Sequence, residues 1–358
     1  MKVTIDATPL LVRSAGVKSY LHHWIGALRE TAGPHELETW PGIAPDWALN
    51  HERSPLPAGR TAAHLLRAAL ARYAGWSPRG ADVFHVSNLT RGMARRGRTT
   101  ATLHDLTCWL MPEHHARGNI AADHEFAERV LVRADAVVTI SESTRRDALR
   151  VLRLKPSRVH TIYPGVGEAY FQRPGPEEGG KPYLLFTGAV EPRKNLDRLL
   201  EAWLALPRDY RREFELRIAG PAGWRSEATE ERIRGAEGVR RLGYVPEAEL
   251  PALFRGATVF VYPSLYEGFG LPVAQAMASG VPVVTSNVSS LPEVAGDAAE
   301  YVNPRSAMDL AAALRRLLDD GGRRAAMSAA GVVRAERFRW RRSAEESWKL
   351  FAALAGAG

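Results

Sequence analysis

A chain of 358 residues, 45% of them hydrophobic, is longer than one core organises, because single cores stop growing near roughly 250 to 300 residues, so two domains are expected. The single Cys108 excludes an intramolecular disulfide, and no apolar run approaches the roughly 20 residues of a membrane span. The formal charge of +8 falls mostly on residues 1–168, with 22 Lys and Arg against 16 Asp and Glu. This is either a surface for an anionic partner or a solvated basic face; no recognition-helix, zinc or RNA-binding signature accompanies it, so nucleic acid is not an expected partner.

In chain order, Lys2 and the apolar residues after it run straight into Asp6. That is the pattern of a first strand over 3–7 and not of a signal peptide, and it places the chain in the cytoplasm. The loop 11–20 turns helical through Leu21, Trp24, Ile25 and Leu28. Strand, small-residue loop and helix make either an ordinary βα turn or a phosphate-binding one. Residues 31–54 are polar, rich in Pro and Trp and without a clear period, which leaves room for one strand. From 60 to 73, Ala62, Leu65, Leu66, Ala69, Leu70 and Tyr73 recur at helical spacing, with Arg60, Arg67 and Arg72 among them. The spacing predicts a core-packed helix; the alternative is a surface helix resting on an anionic membrane.

A strand over 82–86 leads to a loop with Arg91, Arg95, Arg96 and Arg98, and a strand over 99–103 ends at His104 and Asp105. A histidine there either serves a site or hydrogen-bonds locally. Glu113, His114 and His115 lack the spacing of a metal set, so no metal is expected. After a helix over 123–133 and a strand over 136–140 that ends in Ser141 to Thr144, Ser143 and Thr144 with Arg145, Arg146 and Asp147 read as a helix start, with contact to acceptor or sugar by Ser141 or Glu142 as the alternative. A strand over 159–163 closes at a Pro-Gly turn, and 172–181, with Glu177 and Glu178, reads as a linker.

The second half repeats the βα rhythm. A strand over 183–187 ends in Gly188-Ala189-Val190-Glu191-Pro192-Arg193-Lys194-Asn195, followed by an amphipathic helix on Leu196, Leu199, Leu200 and Trp203. Two cations at a strand-to-helix junction would together neutralise a diphosphate, although exposed Arg-Lys pairs also arise without function. Strands over 216–220 and 239–245 follow. An apolar run over 257–262 then meets the turn Glu267-Gly268-Phe269-Gly270, and a helix begins near Pro272. Gly268 and Gly270 let the backbone approach a ligand, and the helix N-terminus offers N–H groups to an anion. Strands over 281–285 and 298–302, helices over 308–318 and 323–336 and a last amphipathic helix over 338–354 complete the chain.

The run Glu267-Gly268-Phe269-Gly270-Leu271-Pro272, with Gln275 eight positions after Glu267, resembles the retaining glycosyltransferases of family 4, whose pattern is Glu-Gly-Phe-Gly-Leu-Pro-x-x-Glu-Ala. Glu191-Pro192-Arg193-Lys194-Asn195 resembles that family's diphosphate-binding segment. The chain departs from the family at Gln275, where a second acid is usual, and at Ala189, where many members carry arginine.

The resemblance implies an α/β chain of GT-B fold, with two facing Rossmann-like domains over 1–170 and 171–336 and a terminal helix over 337–358 that crosses back to the first. It implies that Gly16, Arg193, Lys194, Gly270 and Leu271 hold the donor diphosphate, that Glu267 holds the donor sugar, and that Gln275 meets the ribose. By the same carry-over Tyr244 and Val245 meet the base, and His104 contacts the transferred sugar with Asp105 orienting it. The implied reaction is hexosyl transfer with retention, first guess mannose from GDP-mannose with a UDP-sugar as the alternative donor, to a glycan, lipid-linked or small-molecule acceptor. No cofactor and no metal are implied, and a lipid-linked acceptor would bring peripheral contact with anionic membrane. Another GT-B enzyme, such as an epimerase or phosphorylase, and a non-catalytic nucleotide-sugar or nucleic-acid binder are the competing readings.

Overall fold

The computed structural model describes residues 1–14, 16–74, 80–90, 92–93, 96–172 and 180–356, without the side chains of 71–74. Residues 173–179 of the expected linker, with the acids Glu177 and Glu178, and Arg91 and Arg95 lie outside these residues, as do the side chains of Arg72 and Tyr73. The chain divides into two compact units, one of Met1–Gly165 with Trp340–Gly358 and one of Val166–Arg339. The first boundary therefore falls five residues before the expected 170, and the terminal segment joins the first unit from Trp340 instead of 337.

The first unit holds a six-stranded parallel sheet made of β1 (Lys2–Asp6), β2 (Glu36–Trp40), β3 (Val83–Val86), β4 (Arg98–Leu103), β5 (Ala136–Thr139) and β6 (Val159–Thr161), in the order β2-β1-β3-β4-β5-β6. The inner strands are buried along their length, as strands covered on both faces must be, and this is why they read as apolar runs. The strand hidden within 31–54 is β2, an edge strand with alternate residues exposed and little apolar content. Asp6, wholly buried at the end of β1, accepts from Thr8 N–H (3.0 Å) and Ser87 N–H (3.0 Å) and from both hydroxyls, which joins the ends of β1 and β3.

Helix α1 (Gly16–Glu30) buries Leu21, Trp24, Ile25 and Leu28, and the terminal helix Trp340–Gly356 packs on it: Trp24 Nε1 donates to Ser347 (3.0 Å) and Trp348 Nε1 to the Leu28 carbonyl (3.1 Å). Helix α2 (Ala58–Ala74) departs from the core-packed expectation. Ala68 is buried and His64 and Leu65 are half-buried, but Leu66 is 62% and Leu70 52% exposed. The apolar residues are too many for one inward stripe, so those at 62, 66 and 70, one turn apart, form a second, outward one.

The second unit holds β7 (Tyr183–Thr187), β8 (Glu215–Ala219), β9 (Val239–Gly243), β10 (Val259–Tyr262), β11 (Val283–Ser286) and β12 (Ala299–Val302), all parallel, in the order β12-β11-β10-β7-β8-β9. The chain leaves β7 toward β8 and β9 and returns on the other side as β10, so the order reverses between β7 and β10. Open α/β sheets bind ligands outside the carboxyl ends of strands at such a reversal. At the same edge Gly220, with φ of +132°, lies so close to Gly188 that a Cβ would stand 2.0 Å from the Gly188 carbonyl oxygen, and only glycine fits.

Candidate functional site

The segments after β7 and β10 meet at this reversal. Beyond β7, Pro192–Lys194 form a single 3-10 turn and Asn195 takes a left-handed conformation (φ 61°), which turns the chain into the helix Leu196–Ala205. The Asn195 side chain donates to the carbonyls of Pro263 (2.9 Å) and Pro304 (2.7 Å), and Leu265 N–H donates to the Arg193 carbonyl (2.9 Å). Arg193 and Lys194 are thereby presented to the turn that carries Glu267.

Four charges converge there. Lys194 Nζ stands 2.7 Å from Glu267 Oε1 and donates to the Tyr262 hydroxyl at 2.7 Å. Arg193 Nη1 lies 3.2 Å from Glu267 Oε2 and donates to the Tyr266 carbonyl (2.8 Å), while its Nη2 bonds Glu191 Oε1 at 2.7 Å. Burial by itself would raise Glu267, but the Lys194 and Arg193 charges outweigh it and hold the carboxyl at about 2. Burial draws Lys194 down from its ordinary value, and Glu267 opposes that shift. We read the contact as an ion pair, since Glu267 is ionised throughout the neutral range.

The glycine turn is fixed from behind. Ser290 Oγ donates to the carbonyls of Glu267 (2.9 Å) and Phe269 (2.8 Å), and Ser289 Oγ accepts from Glu267 N–H (2.9 Å). Gly270, with φ of +93°, is the N-cap of the helix Leu271–Ala278, and a Cβ there would stand 2.7 Å from Leu291 Cδ2. Pro272 sits in the first helical turn, where its missing N–H costs nothing. The N–H of Leu271 opens the helix and, like the other first N–H groups of any helix, has no intrahelical partner.

The remaining predicted residues are placed as follows. Gln275 is half-buried on the helix Leu271–Ala278, one turn past Leu271. Tyr244, 47% exposed, and Val245 follow β9, two strands from β7. In the first unit, Gly16 opens α1 on an exposed face where a Cβ would meet nothing within 4 Å, so no crowding demands glycine there. His104 follows β4, half-buried, with the Tyr20 ring edge-on at 5.0 Å. Burial lowers its pKa to about 4, with Asp105 opposing, so it is neutral at physiological pH. Asp105 Oδ1 itself accepts from Thr107 N–H (2.9 Å) and hydroxyl (2.6 Å), which ties it to the next turn. Ser141 caps the helix Glu142–Val151 through Thr144 N–H at 2.9 Å, so this helix begins ahead of the expected Ser143. Among the described residues no three His, Cys, Asp or Glu side chains cluster as metal ligands would.

Sequence reasoning missed Glu191, Tyr262, Ser289 and Ser290 as members of the second unit's cluster, and Lys18 in the first. Lys18 is wholly buried and donates to the carbonyls of Val12 (3.1 Å) and Arg53 (2.8 Å); burial draws its ammonium down to about 8, with Glu52 opposing. Its signal was available, because Lys18 shares the helical stripe of Leu21, Ile25 and Leu28, where a charge is out of place. Glu191 stood inside a recognised segment without a role.

Residues 16–169 match the family described as Glycosyltransferase Family 4, and residues 170–333 the family described as Glycosyl transferases group 1. The chain is 36% identical over 259 residues to O-antigen chain mannosyltransferase B of Escherichia coli, covering 69% of this chain and 68% of that protein. It is 28% identical over 284 residues to the serotype-specific mannosyltransferase WbdA of Escherichia coli, covering 72% of this chain and 34% of WbdA, so it matches about a third of that relative's length. Of solved structures, sucrose-phosphate synthase from Thermosynechococcus elongatus has a TM-score of 0.75 at 20% identity, covering 100% of both chains. Anabaena HepE in complex with UDP-glucose has a TM-score of 0.75 at 17% identity, covering 99% of this chain and 100% of that one. These two likenesses are of fold alone.

Proposed function

Because the chain belongs to glycosyltransferase family 4 and has the GT-B fold, we propose that it transfers a hexosyl group, mannose from GDP-mannose, with retention and without a metal, to a glycan or lipid-linked acceptor. The observation that carries the donor reading is the meeting of Arg193, Lys194 and Glu267 at the order reversal between β7 and β10. The choice of mannose rests on relatives that are mannosyltransferases, and UDP, bound in Anabaena HepE, is the alternative nucleotide.

As the glycosidic bond breaks, the departing diphosphate gains negative charge. The Arg193 guanidinium, the Lys194 ammonium and the N–H groups at Gly270 and Leu271 stabilise that charge in a buried setting, where fixed donors act most strongly. Glu267 orients the sugar hydroxyls, and Gln275 binds the ribose with one acceptor oxygen and a donating NH₂. Neutral His104 accepts from or donates to the sugar without adding charge. The acceptor proton passes to the leaving phosphate oxygen on the face of departure, so the new bond forms where the old one broke. Tyr244 and Val245 flank the base.

Incubating the protein with GDP-mannose, UDP-glucose and their relatives, with and without excess EDTA, and measuring nucleoside diphosphate release with acceptor tests this reading. Release from GDP-mannose that survives EDTA is expected, and the anomeric configuration of the product by NMR should match the donor's. Chelator-sensitive release restored by Mg²⁺ or Mn²⁺ would overturn the metal-free account, and melting shifts without release from any donor would make the chain a binder.

The outward face of α2 favours a second contact, with an anionic membrane. Leu66 and Leu70 are exposed one turn apart on a helix that also exposes Arg60 and Arg67, and no acidic residue occurs between Glu52 and Asp82. Vesicles of phosphatidylcholine with phosphatidylglycerol should carry the protein down on sedimentation. Binding unchanged in L66S/L70S would remove α2 from that surface.

A further inference from the structure

Around the β7–β10 reversal the charges of Arg193 and Lys194 are already matched by those of Glu191 and Glu267. A diphosphate that arrives at a cluster of zero net charge gains no net Coulomb attraction until one carboxylate withdraws. The two carboxylates are not equivalent. Glu267 contacts Lys194 with one oxygen and Arg193 with the other, and its side chain is 9% exposed. Glu191 meets Arg193 through Oε1 and is 25% exposed, the most of the four, so its return to water costs least.

Its backbone, in contrast, is fixed. Lys194 N–H donates to the Glu191 carbonyl (3.0 Å), Gly223 N–H donates to the Val190 carbonyl (3.0 Å), and a Cβ on Gly223 would stand 3.3 Å from Glu191 Cβ. The side chain can therefore swing while the turn that aims Arg193 and Lys194 stays in place.

We propose that Glu191 is a resident counter-ion: its carboxylate holds the Arg193 guanidinium while the site is empty and yields that position to the diphosphate when nucleotide binds. This rests on the reading of Arg193 and Lys194 as the diphosphate's partners. It adds that nucleotide affinity is held below what the two cations would give alone, which speeds release of the spent nucleoside diphosphate.

Titration calorimetry of GDP and UDP against the full chain and its Glu191→Gln and Glu191→Asp variants tests it, with guanosine and uridine as uncharged probes. Glu191→Gln removes the competing charge and should bind the diphosphate at least about threefold tighter, by a factor that shrinks as salt is added. Glu191→Asp keeps the charge and should stay within about twofold of the parent, and the nucleosides should bind all three proteins alike. Unchanged or weaker diphosphate binding by Glu191→Gln overturns the proposal, as does an equal gain for the uncharged probes. A parent that binds neither GDP nor UDP instead overturns the donor-site reading on which the proposal stands.

Discussion

At the carboxyl edge of the second sheet, three ion pairs link Glu191, Arg193, Glu267 and Lys194 in a chain, and Glu267 is held at about 2 by the cations beside it. At the corresponding edge of the first sheet, burial lowers His104 to about 4 and His85 to about 3, and both rings lie against aromatic neighbours. Both sheets are six-stranded, parallel and reversed at one point, so the fold does not set this difference. It arises from what each edge packs: a sequence-adjacent Arg-Lys pair across from a glutamate in one, and histidines packed against aromatic rings and threonine hydroxyls in the other. One edge therefore carries paired charges and the other neutral imidazoles.

The sharpest way to break this contrast is to remove the acid from the charged edge. Glu267→Gln leaves two buried cations without their shared counter-charge and should lower unfolding free energy by about 3 kcal/mol, the usual scale for one member of a buried pair, as read by urea denaturation. The same change should reduce kcat at least about tenfold through loss of the sugar contact. A variant with parental stability and kcat would show that the cluster is only a surface network. Next in size, Lys194→Ala should weaken nucleoside diphosphate binding by about 1.5 to 3 kcal/mol, the range for hydrogen bonds to charged groups, and an unchanged calorimetric affinity would take Lys194 out of the site.

Acid destabilises both edges but in different pH windows. Folded His85 takes up its proton at about 3 against 6.5 for the free side chain, so the unfolded chain binds more protons across that window and stability falls as pH drops through it. Between about pH 7 and pH 5 the cost is about 2 kcal/mol for His85. The contribution of Glu267 persists above its ordinary value of 4.5 and is lost as pH falls toward 2, so the first unit should loosen at mildly acid pH while the second holds. Hydrogen exchange by mass spectrometry at about pH 5 should show faster exchange on β3 and β4 than on β7 and β10, and the reverse order would contradict the contrast.

The smallest expected effect lies at Gln275. Ribose is remote from the breaking bond, so Gln275→Glu should leave kcat within about threefold and change mainly the donor KM. A parent without turnover, restored by Gln275→Glu, would mean that the amide marks lost catalysis.

The charged edge was legible in the sequence because its parts are local. Arg193 and Lys194 are adjacent at a strand end, and Glu267 and Gly270 share one turn, so each half carried its own signal and pointed to the same ligand chemistry. Glu191 was not legible as a partner, since only the 3-10 turn at Pro192–Lys194 brings its carboxylate back onto Arg193. In the first unit the buried strands followed from their apolar runs, but β2 lies at an edge and shows no pattern, and α2 has apolar residues on two faces where periodicity assumes one. The loop anchored by Lys18 depends on a carbonyl 35 residues away, which no local pattern reveals.

Asn195 carries a consequence for building chimeras. Its amide fastens the segment after β7 to the carbonyls of Pro263 and Pro304, which belong to the segments after β10 and β12. Engineers who wish to change the donor by grafting the Glu267 turn from another family member must keep that turn's Pro263 carbonyl opposite this amide, or lose one of the two hydrogen bonds of a half-buried amide at a cost of about 1 kcal/mol. The exchangeable part is thus not the glycine turn by itself but three segments moved as a set, with Asn195 as the joint between them.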